Sequence, residues 1–163
     1  MKKTNNIAIA LALIFSSISI VGCDNGYDCD LNNTSYNNIT FYAEADGKEE
    51  PYAHPEPLTI SLMVNGKDSV IINHKTDANQ ISLPMSYAQG VDTIVIHYEN
   101  NLCDSLYVTH KGKPYYQSME CGILMFHEIE SIRSTNVWIE KASLMNNTVN
   151  FKGHENIRIY LYK

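Results

Sequence analysis

The chain has 163 residues, 12 basic against 18 acidic side chains, a formal net charge of −6 and 44% hydrophobic residues. That length supports one domain with a true core. The acidic balance excludes nucleic acid or an anionic membrane surface as the main partner, because both demand clustered Lys and Arg.

The chain opens with an address. Lys2 and Lys3 precede an almost unbroken apolar run from Ile7 to Ile20, and Ile20-Val21-Gly22-Cys23 closes it with small residues before a cysteine. A cationic start followed by such a run marks a secretory signal; its 14 residues fall short of the roughly 20 that span a bilayer. The ending resembles the lipobox of bacterial lipoproteins, with Ile20 standing where that pattern prefers Leu. The resemblance implies removal of residues 1–22 and acylation of Cys23 by palmitate-type chains. At about 0.8 kcal/mol per buried methylene, two or three such chains hold a protein durably. The expectation is a tethered protein of the cell envelope, on the outer membrane, facing the periplasm or the surface.

The remainder carries ten basic and eighteen acidic residues, a net charge of −8. Cys29, Cys103 and Cys121 stay behind in a compartment where disulfides form, giving one pair and one leftover. They lack the short C-x-x-C or H-x-x-x-H steps of a zinc site. From Asp24 onward Asn, Asp, Ser and Thr dominate, so residues 23–37 read as the lipidated cysteine and a flexible tether, and residues 38–163 as a single domain.

The first predicted strand is Ile39 to Ala43, followed by a polar loop from Asp46-Gly47 through Pro51, Pro55 and Pro57. Leu58, Ile60, Leu62 and Val64 then alternate with period two. Asn65-Gly66 suits a type I′ turn, since both central residues need positive φ, so Ser69 to Asn73 returns as a hairpin partner. Gln80 to Pro84 reads as an edge strand, because Pro84 lacks a ladder donor. Ile94, Ile96 and Tyr98 point one way, against Val95 and His97. After an Asn100-Asn101 turn, Leu102 to Thr109 comes back with Leu106 and Val108 inward, and Lys111-Gly112-Lys113-Pro114 ends it. Tyr115 to Ser118 is a further short piece. Ile123, Met125, His127 and Ile129 alternate with Leu124, Phe126, Glu128 and Glu130, favouring strand, with a turn over Ser131 to Asn136. Val137 to Ser143 and the closing Ile157, Ile159 and Leu161 complete the set. Eight or nine short strands at this spacing predict an all-β, antiparallel two-sheet sandwich, immunoglobulin-like in plan.

Chemical motifs are sparse. His54, His74, His97, His110, His127 and His154 are scattered with no ligand spacing, and on a strand His127 faces away from Glu128 and Glu130. No G-x-S-x-G, phosphate loop or paired-cysteine redox motif occurs, so the expectation is a protein without catalytic residues, metal or cofactor. The 11 tyrosines could carry binding, since each offers a flat apolar face and a polar edge; Tyr98, Tyr107, Tyr115, Tyr116, Tyr160 and Tyr162 sit on or beside predicted strands, where packing uses them too. Asp68-Ser69-Val70, Asp92-Thr93-Ile94 and Asp104-Ser105-Leu106 look like the O-glycosylation acceptor pattern of secreted Bacteroidota proteins, making Ser69, Thr93 and Ser105 candidates. Asp followed by Ser or Thr also commonly starts a strand.

Ile39-Thr-Phe41-Tyr42, Ser82-Leu83-Pro84, Asp104-Ser-Leu106, Asn136-Val-Trp138-Ile139 and Asn156-Ile-Arg158-Ile-Tyr160, with Cys29, accompany the most distinctive block, Lys113-Pro-Tyr115-Tyr-Gln-Ser118-Met-Glu-Cys121-Gly122. With these the chain resembles a family of short, uncharacterised Bacteroidota lipoproteins. The resemblance implies a disulfide between Cys29 and Cys121; the alternative is Cys103 with Cys121, from adjacent predicted strands, and Cys103 departs from the family pattern. The expected function is a non-catalytic envelope lipoprotein that binds another envelope protein, or else a glycan-binding accessory using exposed tyrosines.

Overall fold

The computed structural model describes residues 35–98, 101–119 and 121–162. Cys23, Cys29, the expected leader, the expected tether up to residue 34 and Asn100 lie outside the described residues. The domain is built on period-two alternation. Ile39, Phe41 and Ala43 on β1 (Tyr36–Ala45) are buried, as are Ile81 and Leu83 on β5 (Gln80–Pro84) and Ile157, Ile159 and Leu161 on β11 (Glu155–Leu161). Facing them are Leu58 and Ile60 of β3 (Leu58–Val64), Ile94 and Ile96 of β6 (Val91–His97), Leu106 and Val108 of β7 (Cys103–Ser118) and Ile129 of β8 (Gly122–Ser134). These side chains form one apolar cluster, and each fully buried aliphatic contributes about 1.5–3 kcal/mol.

Two sheets carry these faces, as the sandwich expectation required. One runs β2 (Lys48–Pro51), β1, β11, β9 (Ile139–Leu144), with β5 also on β1; the other runs β10 (Thr148–Val149), β8, β7, β6, β3, β4 (Lys67–Lys75). All pairs are antiparallel except β1 with β11, which is parallel, Ile39 opposite Ile157 and Phe41 opposite Ile159.

Several elements differ from the sequence reading. Asp46 and Gly47 take φ of 52° and 72° and close a tight hairpin into β2, where a loop was expected; Pro51 is tolerated because it ends an edge strand. Asn65-Gly66 makes the expected positive-φ turn. The largest departure is β7, which does not end at Lys111-Gly112-Lys113-Pro114 but runs on to Ser118. Its pairing with β6 stops at Thr109, whereas its pairing with β8 continues to Ser118 opposite Gly122. His110 N–H still donates to Gly90 O at 2.9 Å; beyond it that edge of β7 pairs with no strand among the described residues, so Pro114 removes no ladder hydrogen bond there. Past the short β10, which pairs with His127 and Glu128 of β8, β7 and β8 run on as a two-stranded arm projecting beyond the sheet. A bulge opposite Thr109/His110 leaves Glu130 as the extra residue on β8 and shifts the inward phase, so that Ile129 and Ile132 both pack on the core.

Polar groups close both ends of the β6–β7 inner face. At the end away from the arm, Asp104 is fully buried and accepts five hydrogen bonds: from Tyr98 Oη at 3.2 Å, Thr135 Oγ1 at 2.8 Å and the backbone N–H groups of Val137, Trp138 and Ile139 at 2.7–3.0 Å. This carboxylate organises the β8–β9 connection. Beside it His54 is buried against the rings of Tyr98 and Trp138. Burial, reinforced by Asp104, raises the Tyr98 pKa well above the ordinary phenol value, so this hydroxyl stays a donor. Replacing Asp104 by Ala should strand those donors and lower stability by about 3–5 kcal/mol in urea unfolding, while Tyr98→Phe, which removes one of the five, should cost about 1–2 kcal/mol. An unchanged D104A midpoint would remove Asp104 from this role.

Candidate functional site

The chemically richest region lies at the arm end of the core. The inner-face positions of β7 after Val108 are His110 and Gly112, and those of β8 are Ile129, His127 and Met125, with Gly112 opposite His127. Gly112 leaves room for Met125, whose Sδ would lie 3.1 Å from an added Cβ. His110 and His127 are both almost fully buried, and their Nδ1 atoms stand 3.2 Å apart. One ring must donate and the other accept across that contact. On the other side of His110, Nε2 lies 3.0 Å from Asp92 Oδ2, a close contact off the hydrogen-bond axis, and that nitrogen has no other partner among the described residues. Asp92 Oδ2 also accepts the Ser86 N–H at 3.1 Å. Tyr87, 72% exposed, stacks parallel over His127 at 5.9 Å. The column therefore runs Asp92, His110, His127, Tyr87.

Sequence reasoning missed this column because the two histidines stand 17 residues apart. A continuous β7–β8 hairpin through Lys113-Pro114 would have placed them as neighbours, and the apparent strand end at the proline concealed it.

Asp92 also faces a cleft of about 300 Å³, formed where the β5–β6 connection crosses the end of the β3–β4 hairpin. Leu62, Val64, Ile71, Pro84 and Met85 supply apolar walls; Ser86, Gln89 and Thr93 are the remaining polar contributors.

On the outer face of the arm, Tyr115 stacks on Phe126 at 4.7 Å, and Phe151 meets Phe126 edge-on at 5.5 Å. Lys113 pairs with Glu128 and Lys111 with Glu130 along the same face; Glu130 raises the Lys111 pKa and Lys113 lowers that of Glu128, both through hydrogen-bonded contact. Towards the tip, Tyr116, Met119 and Ile123 are exposed, Met119 to 89%. The distinctive Lys113-to-Gly122 block is this arm. Of the tyrosines singled out from sequence, Tyr98 and Tyr160 are buried and leave the set of binding candidates, whereas Tyr115, Tyr116 and Tyr162 are exposed.

The alternative disulfide is corrected. Cys103 is free and exposed. It starts the 16-residue β7, whereas Cys121 follows the other end; at about 3.3 Å per residue those ends lie roughly 50 Å apart, against the ~7 Å limit between the Cα atoms of a disulfide. Cys121, at the arm tip, is not a free thiol. Of the glycosylation candidates, Ser69 is exposed on β4, while Thr93 and Ser105 are half-buried within the sheet. The aspartates preceding Thr93 and Ser105 are the two buried carboxylates, a structural role for both copies of that pattern.

Among the described residues no group of three or more His, Cys, Asp or Glu is arranged to hold a metal, and no helix is long and apolar enough to cross a membrane. Ser61, His97 and Asp68 superficially suggest a nucleophilic triad, with Ser61 Oγ 2.8 Å and Asp68 Oδ2 3.1 Å from His97. Both contacts fall on the same ring nitrogen, Nε2, and Ser61 is fully buried, so the relay through opposite nitrogens that activates a serine is not built.

Burial first, and repulsion from His110 second, hold the His127 pKa below its ordinary value. The unfolded chain thus takes up a proton at His127 at higher pH than the folded chain does. The contribution is complete above about pH 6.5 and is lost as pH falls below it. Urea midpoints measured from pH 7.5 to 5 should fall less in His127→Gln than in the unaltered protein; parallel curves would assign the loss elsewhere.

Residues 58–161 match a family model described as a family of unknown function, DUF6452. No curated protein and no solved structure matches the chain.

Proposed function

The chain belongs to the DUF6452 family of unknown function, and we propose that it is a non-catalytic lipoprotein of the cell envelope whose β7–β8 arm binds another envelope protein. One observation carries the reading: the arm outruns its sheet and presents Tyr115, Tyr116, Met119 and Ile123 to solvent. A two-stranded ribbon is at best marginally stable by itself, and aromatic and Met side chains are the residues enriched at interface centres.

The anchor would be the acylated Cys23. Ser35 Oγ donates to Met125 O at 3.0 Å, so the described chain begins against the inner side of the arm. A Cys29–Cys121 disulfide completes the arrangement, supported by the engaged state of Cys121 and the free, distant Cys103. Closing a loop of about 90 residues stabilises the fold by roughly 4–5 kcal/mol in the chain-entropy model. It would also hold the arm tip six residues from the lipid, so that the arm leads toward the membrane. Glycan binding is the second reading, favoured by the exposure of Tyr36, Tyr87, Tyr115 and Tyr116 around this same end.

Photo-crosslinking from position 116 in intact cells should yield one discrete protein adduct, reduced by Ile123→Asp. Adducts to glycan alone would select the second reading, and no adduct would defeat the first. Non-reducing peptide mapping should recover Cys29 and Cys121 in one linked species; a Cys29 alkylated without reduction would break the proposed link.

A further inference from the structure

We propose that the cleft beside Asp92 is a binding site for an alkylammonium group, a positively charged nitrogen on a short unbranched apolar stem. Asp92 is only 8% exposed, yet it contributes to the wall of the cleft. Its Oδ2 accepts the Ser86 N–H at 3.1 Å and lies 3.0 Å from His110 Nε2, so both contacts fall on one oxygen. A nearly buried carboxylate on the wall of a cleft favours a donor there, and a charged donor makes the stronger bond.

The remaining lining fits the stem. Leu62, Val64, Ile71, Pro84 and Met85 are apolar, and no Lys, Arg or His lines the space. Among the described residues Asp92 is therefore its sole ionisable wall residue. His110 touches Asp92 but does not line the cleft, leaving the mouth side of the carboxylate for a ligand. A volume near 300 Å³ sits at the lower end of small-ligand sites. It suits a four- or five-carbon stem better than a cofactor. The negative net charge of the chain further favours a cationic ligand. The same chemistry belongs to a free alkylamine and to a lysine side chain of a protein, and the two sources separate by experiment.

The test uses the full mature chain, with the ring-proton resonances of His110 as the reporter beside Asp92. The probes are n-butylammonium chloride, n-butanol as its uncharged counterpart, and Nα-acetyl-lysine amide. A saturable shift with n-butylammonium and none with equal n-butanol is expected, weakened about tenfold or more by Asp92→Asn through loss of the charge-assisted bond. Because D92N also removes a buried contact of His110, a second variant is needed. Ile71 is 44% exposed, so I71K should fold normally, fill the cleft with its own ammonium group and abolish binding without lowering the urea midpoint. Tighter binding of the lysine amide than of n-butylammonium identifies a protein side chain as the occupant; the reverse identifies a free amine. Absence of a saturable shift, an equal response to n-butanol, or an I71K protein that binds as well as the unaltered one overturns the proposal.

Discussion

Two buried carboxylates close the two ends of the core, and the rest of the sandwich depends on how they are satisfied. Strand β6 with the residue after it, and strand β7, carry the same inward pattern: Asp, two aliphatics, then an aromatic ring, as Asp92, Ile94, Ile96, Tyr98 and Asp104, Leu106, Val108, His110. Because the strands are antiparallel, each aspartate meets the other strand's ring. Tyr98 reaches Asp104 at one end and His110 reaches Asp92 at the other. A carboxylate buried without such partners would cost several kcal/mol. Here it instead fixes the register of the central pair, since a slip of one residue would turn the slipping strand's acid and ring to the wrong face and strand their partners.

The two ends then diverge. At the Asp104 end, all the donors come from the protein itself, three of them backbone N–H groups of a single connection. That end is sealed. At the Asp92 end the carboxylate is only partly satisfied, and the histidine behind it leads to a second histidine and an exposed tyrosine. The partly satisfied end also adjoins the cleft and the base of the arm, so the open chemistry of this domain is concentrated on one side.

The arm follows from strand length. β7 is longer than any of its neighbours, and once β6 has ended, only β8 accompanies it. Tyr116 and Ile123, on the continuation of the inner face, are thus left exposed without the second sheet that covers that face elsewhere. With the start of the described chain bonded to Met125, the arm also lies beside the route to the proposed lipid anchor, which links the binding surface to the orientation of the whole domain.

The sequence by itself determined the all-β class, the inward faces of most strands and the Asn65-Gly66 turn, because alternation and positive-φ dipeptides are local properties of the chain. It also located the distinctive Lys113-to-Gly122 block, but not its form: Pro114 read as a strand end, whereas on a free edge it costs no hydrogen bond. Only the tertiary structure decided which residues oppose one another. Alternation states that His110, His127, Asp92 and Asp104 point inward; it does not state that one histidine meets another, or that two aspartates in a repeated Asp-hydroxyl-aliphatic pattern serve opposite ends of a core. Those pairings are set by register across strands and by a single bulge, and register is a property of two strands together, never of one.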